Sequence, residues 1–158
     1  TKRTGDVKNV ESNATSDSEY AADTLAIINI VNESMEIAGA SCIYSGEAIE
    51  KSESNEKIRQ RYIPNGEGKA TFNDGRYYQG SFVYGSMDGD NAYFVYPNGD
   101  TYEGSFKDNH FSKGTYTVKA TGEQFTGTFD SYGQPKKGSW YDKNGNFLQS
   151  VWNGIEVF

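Results

Sequence analysis

The sequence predicts an all-β protein, a single-layer twisted array of antiparallel β-hairpins with a small N-terminal cap, on three observations. Aromatic residues flank a glycine at alternate positions in Tyr78, Gly80 and Phe82, in Tyr102, Gly104 and Phe106, and in Phe125, Gly127 and Phe129. In a strand such residues share one face, and a glycine between two rings leaves a slot that neighbouring aromatics can cross. Each triplet starts three residues after a turn glycine, in Asp74-Gly75, Asn98-Gly99 and Thr121-Gly122, the kind of dipeptide that tight hairpin turns favour. The turn glycines at 75, 99, 122 and 145 are spaced 24, 23 and 23 residues apart, the fixed period of a repeat whose units cannot bury an apolar face alone.

A decayed fourth copy follows Asn144-Gly145, with Leu148, Ser150 and Trp152 where ring, glycine and ring are expected. Partner strands precede the four turns at 68–72, 92–96, 114–118 and 138–142. The third turn carries one extra residue before its glycine, which predicts a bulge there. These residues resemble the MORN-repeat family, whose units pair an aromatic-x-glycine-x-aromatic strand with an Asn/Asp-Gly hairpin. The resemblance covers about residues 62–158. It implies a non-enzymatic module for protein interaction or for attachment to membranes or other structures, and phospholipid binding is among the properties attributed to the family.

Upstream of the array the chain divides into three parts. Residues 1–17 are polar and read as a flexible leader of the sort that follows an export signal or lipid anchor, which points to an extracytoplasmic or cell-surface location. Residues 18–48 read as an N-terminal cap and partial repeat. The stretch 16–31, which runs from the end of the leader into this part, is the one helix candidate: Ser16 and Glu19 have capping-box spacing, and Tyr20, Ala21, Leu25, Ile27, Ile28 and Val31 gather on one side. The competing reading is a buried strand over 25–31, favoured by its β-branched residues. The partial repeat at Tyr44 and Gly46 is followed by a charged stretch, 49–61, expected to be a solvated loop or short surface helix. At the other end Ile155, Val157 and Phe158 alternate after Asn153-Gly154. This tail is expected to fold back and close the array as a monomer, with pairing across a two-fold axis as the alternative.

Composition narrows the function. The 158 residues include 18 glycines and are 15% aromatic but only 35% hydrophobic, which suits a core of rings. The formal charge is −7, divided as −4 over residues 1–61 (7 Lys/Arg against 11 Asp/Glu) and −3 over residues 62–158 (8 against 11). Neither part is built for nucleic acid, and anionic lipid is disfavoured despite the family resemblance. Cys42 is the only cysteine, so no intrachain disulfide forms. It reads as a small buried hydrophobe, lacking the electropositive surroundings of a reactive thiol.

Catalytic inventory is thin. His110 is the single histidine, so neither a nucleophilic dyad nor a zinc site can be assembled. Asp88 and Asp90 start like a calcium loop without its closing glutamate. Gly66 and Gly68 precede no helix that could cradle phosphate. No catalytic residue, cofactor or metal is therefore expected. What remains is surface: Tyr77, Tyr93, Trp140 and Tyr141 are additional rings in the strands, expected to serve as structural filling about the turns or, where several are exposed together, to form the candidate binding surface. The partner is expected to be a protein or an envelope component. Gly138, Trp140 and Tyr141 resemble choline-binding repeats superficially, which makes a cell-envelope glycan-binding module the alternative, beside an accessory module to an enzyme or a lipid-binding one.

Overall fold

The computed structural model describes residues 26–51 and 60–157, and among them every regular element is a strand. The strands are β1 (Ile27–Ile37), β2 (Ala40–Glu50), β3 (Tyr62–Phe72), β4 (Tyr77–Val83), β5 (Ser86–Met87), β6 (Gly89–Val95), β7 (Thr101–Lys107), β8 (His110–Thr117), β9 (Gln124–Phe129), β10 (Pro135–Tyr141), β11 (Phe147–Trp152) and β12 (Ile155–Val157). They make one open sheet in chain order, with the two-residue β5 set off the path against β4. Neighbouring strands are antiparallel throughout.

A row of glycines crosses this sheet. Gly46 pairs with Gly68 and Gly68 with Gly80. Ala92 then pairs with Gly104, Gly104 with Gly114, Gly114 with Gly127 and Gly127 with Gly138. The second strand of each of these hairpins carries a ring two residues before its glycine on the same face: Tyr44, Tyr78, Tyr102 and Phe125, all 0% exposed. The rings lie down over the glycines instead of standing clear of the sheet. A Cβ added to Gly68 would fall 2.6 Å from the Tyr44 ring, and one on Gly138 would fall 2.9 Å from the Phe125 ring. The phenolic hydroxyl of each tyrosine reaches past its glycine to donate to the carbonyl three residues on. Tyr44 thus bonds Glu47 (2.5 Å), Tyr78 bonds Ser81 (2.6 Å) and Tyr102 bonds Ser105 (2.7 Å).

This geometry lets a single layer bury its own core. The rings of Tyr44, Tyr78, Phe94, Tyr102, Tyr116, Phe125 and Trp140 run in register from strand to strand. Phe82, Phe106 and Phe129 repeat four residues after the strand rings and meet them edge-on at 4.9–5.5 Å. Phe111 stacks on Tyr102 at 4.1 Å. Such pairs contribute about 0.5–1.5 kcal/mol each beyond the area they bury. The turns add a second repeating device. Asp74, Asn98, Thr121 and Asp142 each accept, through a side-chain oxygen, the backbone N–H two residues ahead at 2.8–3.2 Å, while the turn glycines take left-handed φ of 75–96°.

Several expectations are corrected. Residues 27–31 are strand, not helix; Ile28 and Ile30 pair with Ala48 and Gly46 and point to the core face, so the β-branched run prevails. The other residues of that helix candidate before Ala26, Ser16, Glu19, Tyr20 and Leu25 among them, lie outside the described residues, as does the leader. The β1–β2 hairpin therefore does not cap the array from outside but extends the same sheet. Its Tyr44 and Gly46 hold full places in the ring and glycine rows. In the charged stretch 49–61, Ile49 and Glu50 end β2, Ile49 is buried against Ile63, and Arg61 pairs with Glu50 at 3.0 Å; residues 52–59 lie outside the description.

The third turn is not bulged. The β8–β9 register runs unbroken, and the extra residue is taken up in a longer loop closed by Val118 N–H on the Glu123 carbonyl at 2.9 Å. The fourth copy is inverted. A bulge between Trp140 and Tyr141 shifts β11 by one residue, so Val151, not Ser150, opposes Gly138 and is buried. A one-residue slip turns every side chain over, and Trp152 and Leu148 are left 54% and 47% exposed. The physical reason lies in the missing glycine: once Ser150 replaces it, an aliphatic side chain over Gly138 fills the core better than a serine.

Two outcomes follow from the ring-over-glycine packing. Gly104 has φ 154° and a Cβ there would press into the Lys113 carbonyl and come within 2.5 Å of the Gly114 Cα. Gly104→Val is expected to cost about 3 kcal/mol through overpacking and backbone strain, against little for the exposed Glu103→Val control, as read by chemical denaturation. Phe125→Tyr restores the hydroxyl that its three counterparts use and is expected to add about 1 kcal/mol by bonding the Thr128 carbonyl; an unchanged midpoint in the same assay rejects that bond.

Candidate binding surface

The face opposite the rings is polar and regular, because every residue between two core positions of a strand points there. One row across it reads Ser45, Lys69, Gln79, Tyr93, Glu103, Thr115, Thr126, Ser139 and Ser150. The adjacent row reads Ile43, Thr71, Tyr77, Val95, Thr101, Thr117, Gln124, Tyr141 and Phe147. Hydroxyls link strands within it, as between Thr115 and Thr126 at 3.0 Å.

Of the four candidate surface rings, three lie on this face. Tyr77 and Tyr93 sit on the neighbouring strands β4 and β6, and the Tyr77 hydroxyl donates to Gln79 Oε1 at 3.1 Å. Partial burial raises the Tyr77 hydroxyl above its ordinary range, with the Tyr93 hydroxyl contributing in the same direction. Tyr93 is 37% exposed. Tyr141 shares their face but lies five strands along the row from Tyr77, roughly 24 Å away at about 4.8 Å per strand. Its ring meets Phe147 instead, at 6.2 Å.

Trp140 is corrected out of the surface set. It faces inward, pairs with Phe125 and packs against its ring at 5.5 Å as the end of the aromatic row. The inversion of β11 places Trp152 outside, with Lys137 Nζ 4.0 Å from its ring centre. Phe147, Trp152, Ile155 and Val157 thus join Tyr141 on the outer face at the end of the sheet. The clue available in the sequence was Ser150: losing the glycine removes the reason for the expected register.

On the inner face the polar groups are committed. The three tyrosine hydroxyls bond backbone carbonyls, and burial drives the Tyr102 hydroxyl up to about 12. Cys42 is 2% exposed, and burial raises its thiol to about 11, far from a reactive thiolate. Asp88 accepts from the Asp108 N–H at 3.1 Å and pairs with Lys107 at 3.7 Å. No group of three or more His, Cys, Asp or Glu side chains converges to hold a metal among the described residues. His110 opens β8 on the exposed side, opposite Lys107.

The Asp100 carboxylate joins two turns. It accepts from the Tyr116 hydroxyl at 2.6 Å, from the Lys119 N–H at 2.9 Å and from Asn98 Nδ2 at 3.3 Å. The Tyr116 bond above all, then the Lys119 N–H, hold its carboxyl below the usual range. A carboxyl lowered by folding stabilises fully above its unfolded value of about 3.9 and loses that contribution as pH falls through the folded value. The melting temperature of the wild type is therefore expected to drop more steeply below about pH 4 than that of Asp100→Asn; parallel profiles would remove Asp100 from the acid response.

A scan against protein-family models finds no family that matches this chain, and a search of curated proteins finds no match either.

Proposed function

We propose that this chain is a non-enzymatic repeat scaffold that mediates protein–protein interaction or attachment at the cell envelope, using the outer face of its sheet. The observation that carries this reading is the diagonal placement of Tyr77 and Tyr93 on neighbouring strands of that face, with Gln79 opposite Tyr93 and accepting from the Tyr77 hydroxyl, and with Lys69 and Glu103 in the row of Gln79 and Tyr93. Rings on rigid strands lose little entropy when they dock, and aromatic anchors ringed by polar groups are what protein interfaces select. The inner rings cannot take this part, since they are spent on the core. The likeness of the repeat to MORN units supports the same class.

A glycan-binding reading is favoured by the same cluster, because a tyrosine face beside an amide and a carboxylate also suits a sugar ring. Affinity capture from envelope extract, run beside a glycan array, separates the two. Tyr77→Ala/Tyr93→Ala is expected to weaken capture of the protein partner by about 30-fold or more, the size of a hot-spot loss. Tyr141→Ala should leave it unchanged. A glycan signal abolished by the double variant, with no protein captured, would transfer the site to the glycan reading. With −3 over residues 62–158, co-sedimentation with anionic vesicles at about 0.15 M salt is not expected.

A further inference from the structure

Among the described residues, five of the eleven large apolar side chains left exposed, Phe147, Leu148, Trp152, Ile155 and Val157, belong to β11 and β12, where Ile155 is 69% exposed; Val31 on β1 is 72% exposed. The tail does fold back through Asn153-Gly154, whose φ values of 51° and 78° suit a two-residue hairpin turn. Yet β12 covers only residues 150–152 of β11 and is the last strand in the order among the described residues, where it forms an edge instead of closing one.

The backbone of that edge is specific. Around a two-residue turn the flanking residues exchange both ladder hydrogen bonds. Trp152 and Ile155 are that pair, so the N–H and C=O of Glu156 turn away from β11 toward the open side. The opposite edge, β1, is defended. It carries a bulge between Ile30 and Glu33, a left-handed Asn32 and the charges of Glu33 and Glu36, features that discourage strand addition. Edge β12 is protected only by its length of three residues and by a single charge, Glu156.

Strand parity then selects the partner. Eleven strands lie on the continuous path, β5 being off it, and every neighbour is antiparallel, so β1 and β12 run in the same direction. Stacking a second copy head to tail with its ring face on the same side would set β12 against a parallel β1, a pairing found nowhere in this sheet. Rotation by 180° about an axis normal to the sheet sets β12 against another β12, antiparallel and with the ring faces still on one side.

We infer that the open edge of β12 is a self-association site, where a second copy of this chain pairs across a two-fold axis centred on Glu156. In that register the outward N–H and C=O of Glu156 bond their counterparts. Ile155 on each copy lies opposite Val157 of the other, giving both exposed side chains an apolar neighbour on the outer face. The Glu156 carboxylate opposes its own counterpart on the inner face, so like charge limits the strength of the contact.

The test uses the full chain. Sedimentation equilibrium is expected to show a concentration-dependent dimer, and hydrogen exchange at the Glu156 amide should slow as the dimer fills. Glu156→Pro removes a donor that β11 does not use and should leave a monomer that melts like the wild-type monomer. Glu156→Gln lifts the charge opposition and should tighten association by roughly 2- to 5-fold. A wild type that stays monomeric, with exchange at Glu156 independent of concentration, overturns the inference. So does a dimer that Glu156→Pro leaves intact. If Glu156→Pro fails to fold, the wild-type exchange measurement decides alone.

Discussion

The architecture depends on one steric constraint: a tyrosine ring can lie flat on a β-sheet only where the strand beneath it has no side chain. The glycine row supplies that vacancy across strands β2 to β10, broken only by Ala92. Where the ring is a tyrosine, in β2, β4 and β7, its hydroxyl reaches past the glycine and donates to the carbonyl three residues on. Close strand approach, ring burial and polar satisfaction are therefore one interaction repeated with the hairpin period. A second sheet or a layer of helices is not required to dry the core, because the rings roof their own sheet.

That economy divides the molecule into two faces with different prospects. The inner face has used its aromatic and hydroxyl groups on packing, and its one thiol is buried with a raised pKa. The outer face keeps its side chains in straight rows of Ser, Thr, Gln, Lys and Glu. On such a background a pair of rings such as Tyr77 and Tyr93 is conspicuous. Their position on neighbouring strands, not any unusual chemistry, is what the proposed recognition role rests on.

The two ends of the array differ for related reasons. At β1 the bulge and acidic side chains disturb the edge, whereas at β11, where Ser150 stands in place of the glycine, a one-residue register shift carries Trp152 outward. Losing the glycine abolishes the slot, so no ring can lie over that position. Val151 takes the inward place, and Trp152 is stranded outside beside Lys137. A single departure from the repeat thus converts a core strand into an exposed apolar margin.

Local pattern in the sequence determined the β class, the hairpin period, the turn glycines and the inward rings at 78, 82, 102, 106, 125 and 129, because alternation and turn chemistry act over a few residues. The same local pattern placed Tyr77, Tyr93 and Tyr141 on the opposite face. Tertiary structure decided what depends on a neighbour's register. It drew residues 27–31 into the sheet beside β2, lodged the extra residue of the third turn in a loop, and turned Trp140 inward against Phe125. It also set Val151 over Gly138. Each of these choices compares two whole strand alignments, and their difference lies in cross-strand packing that no single segment carries.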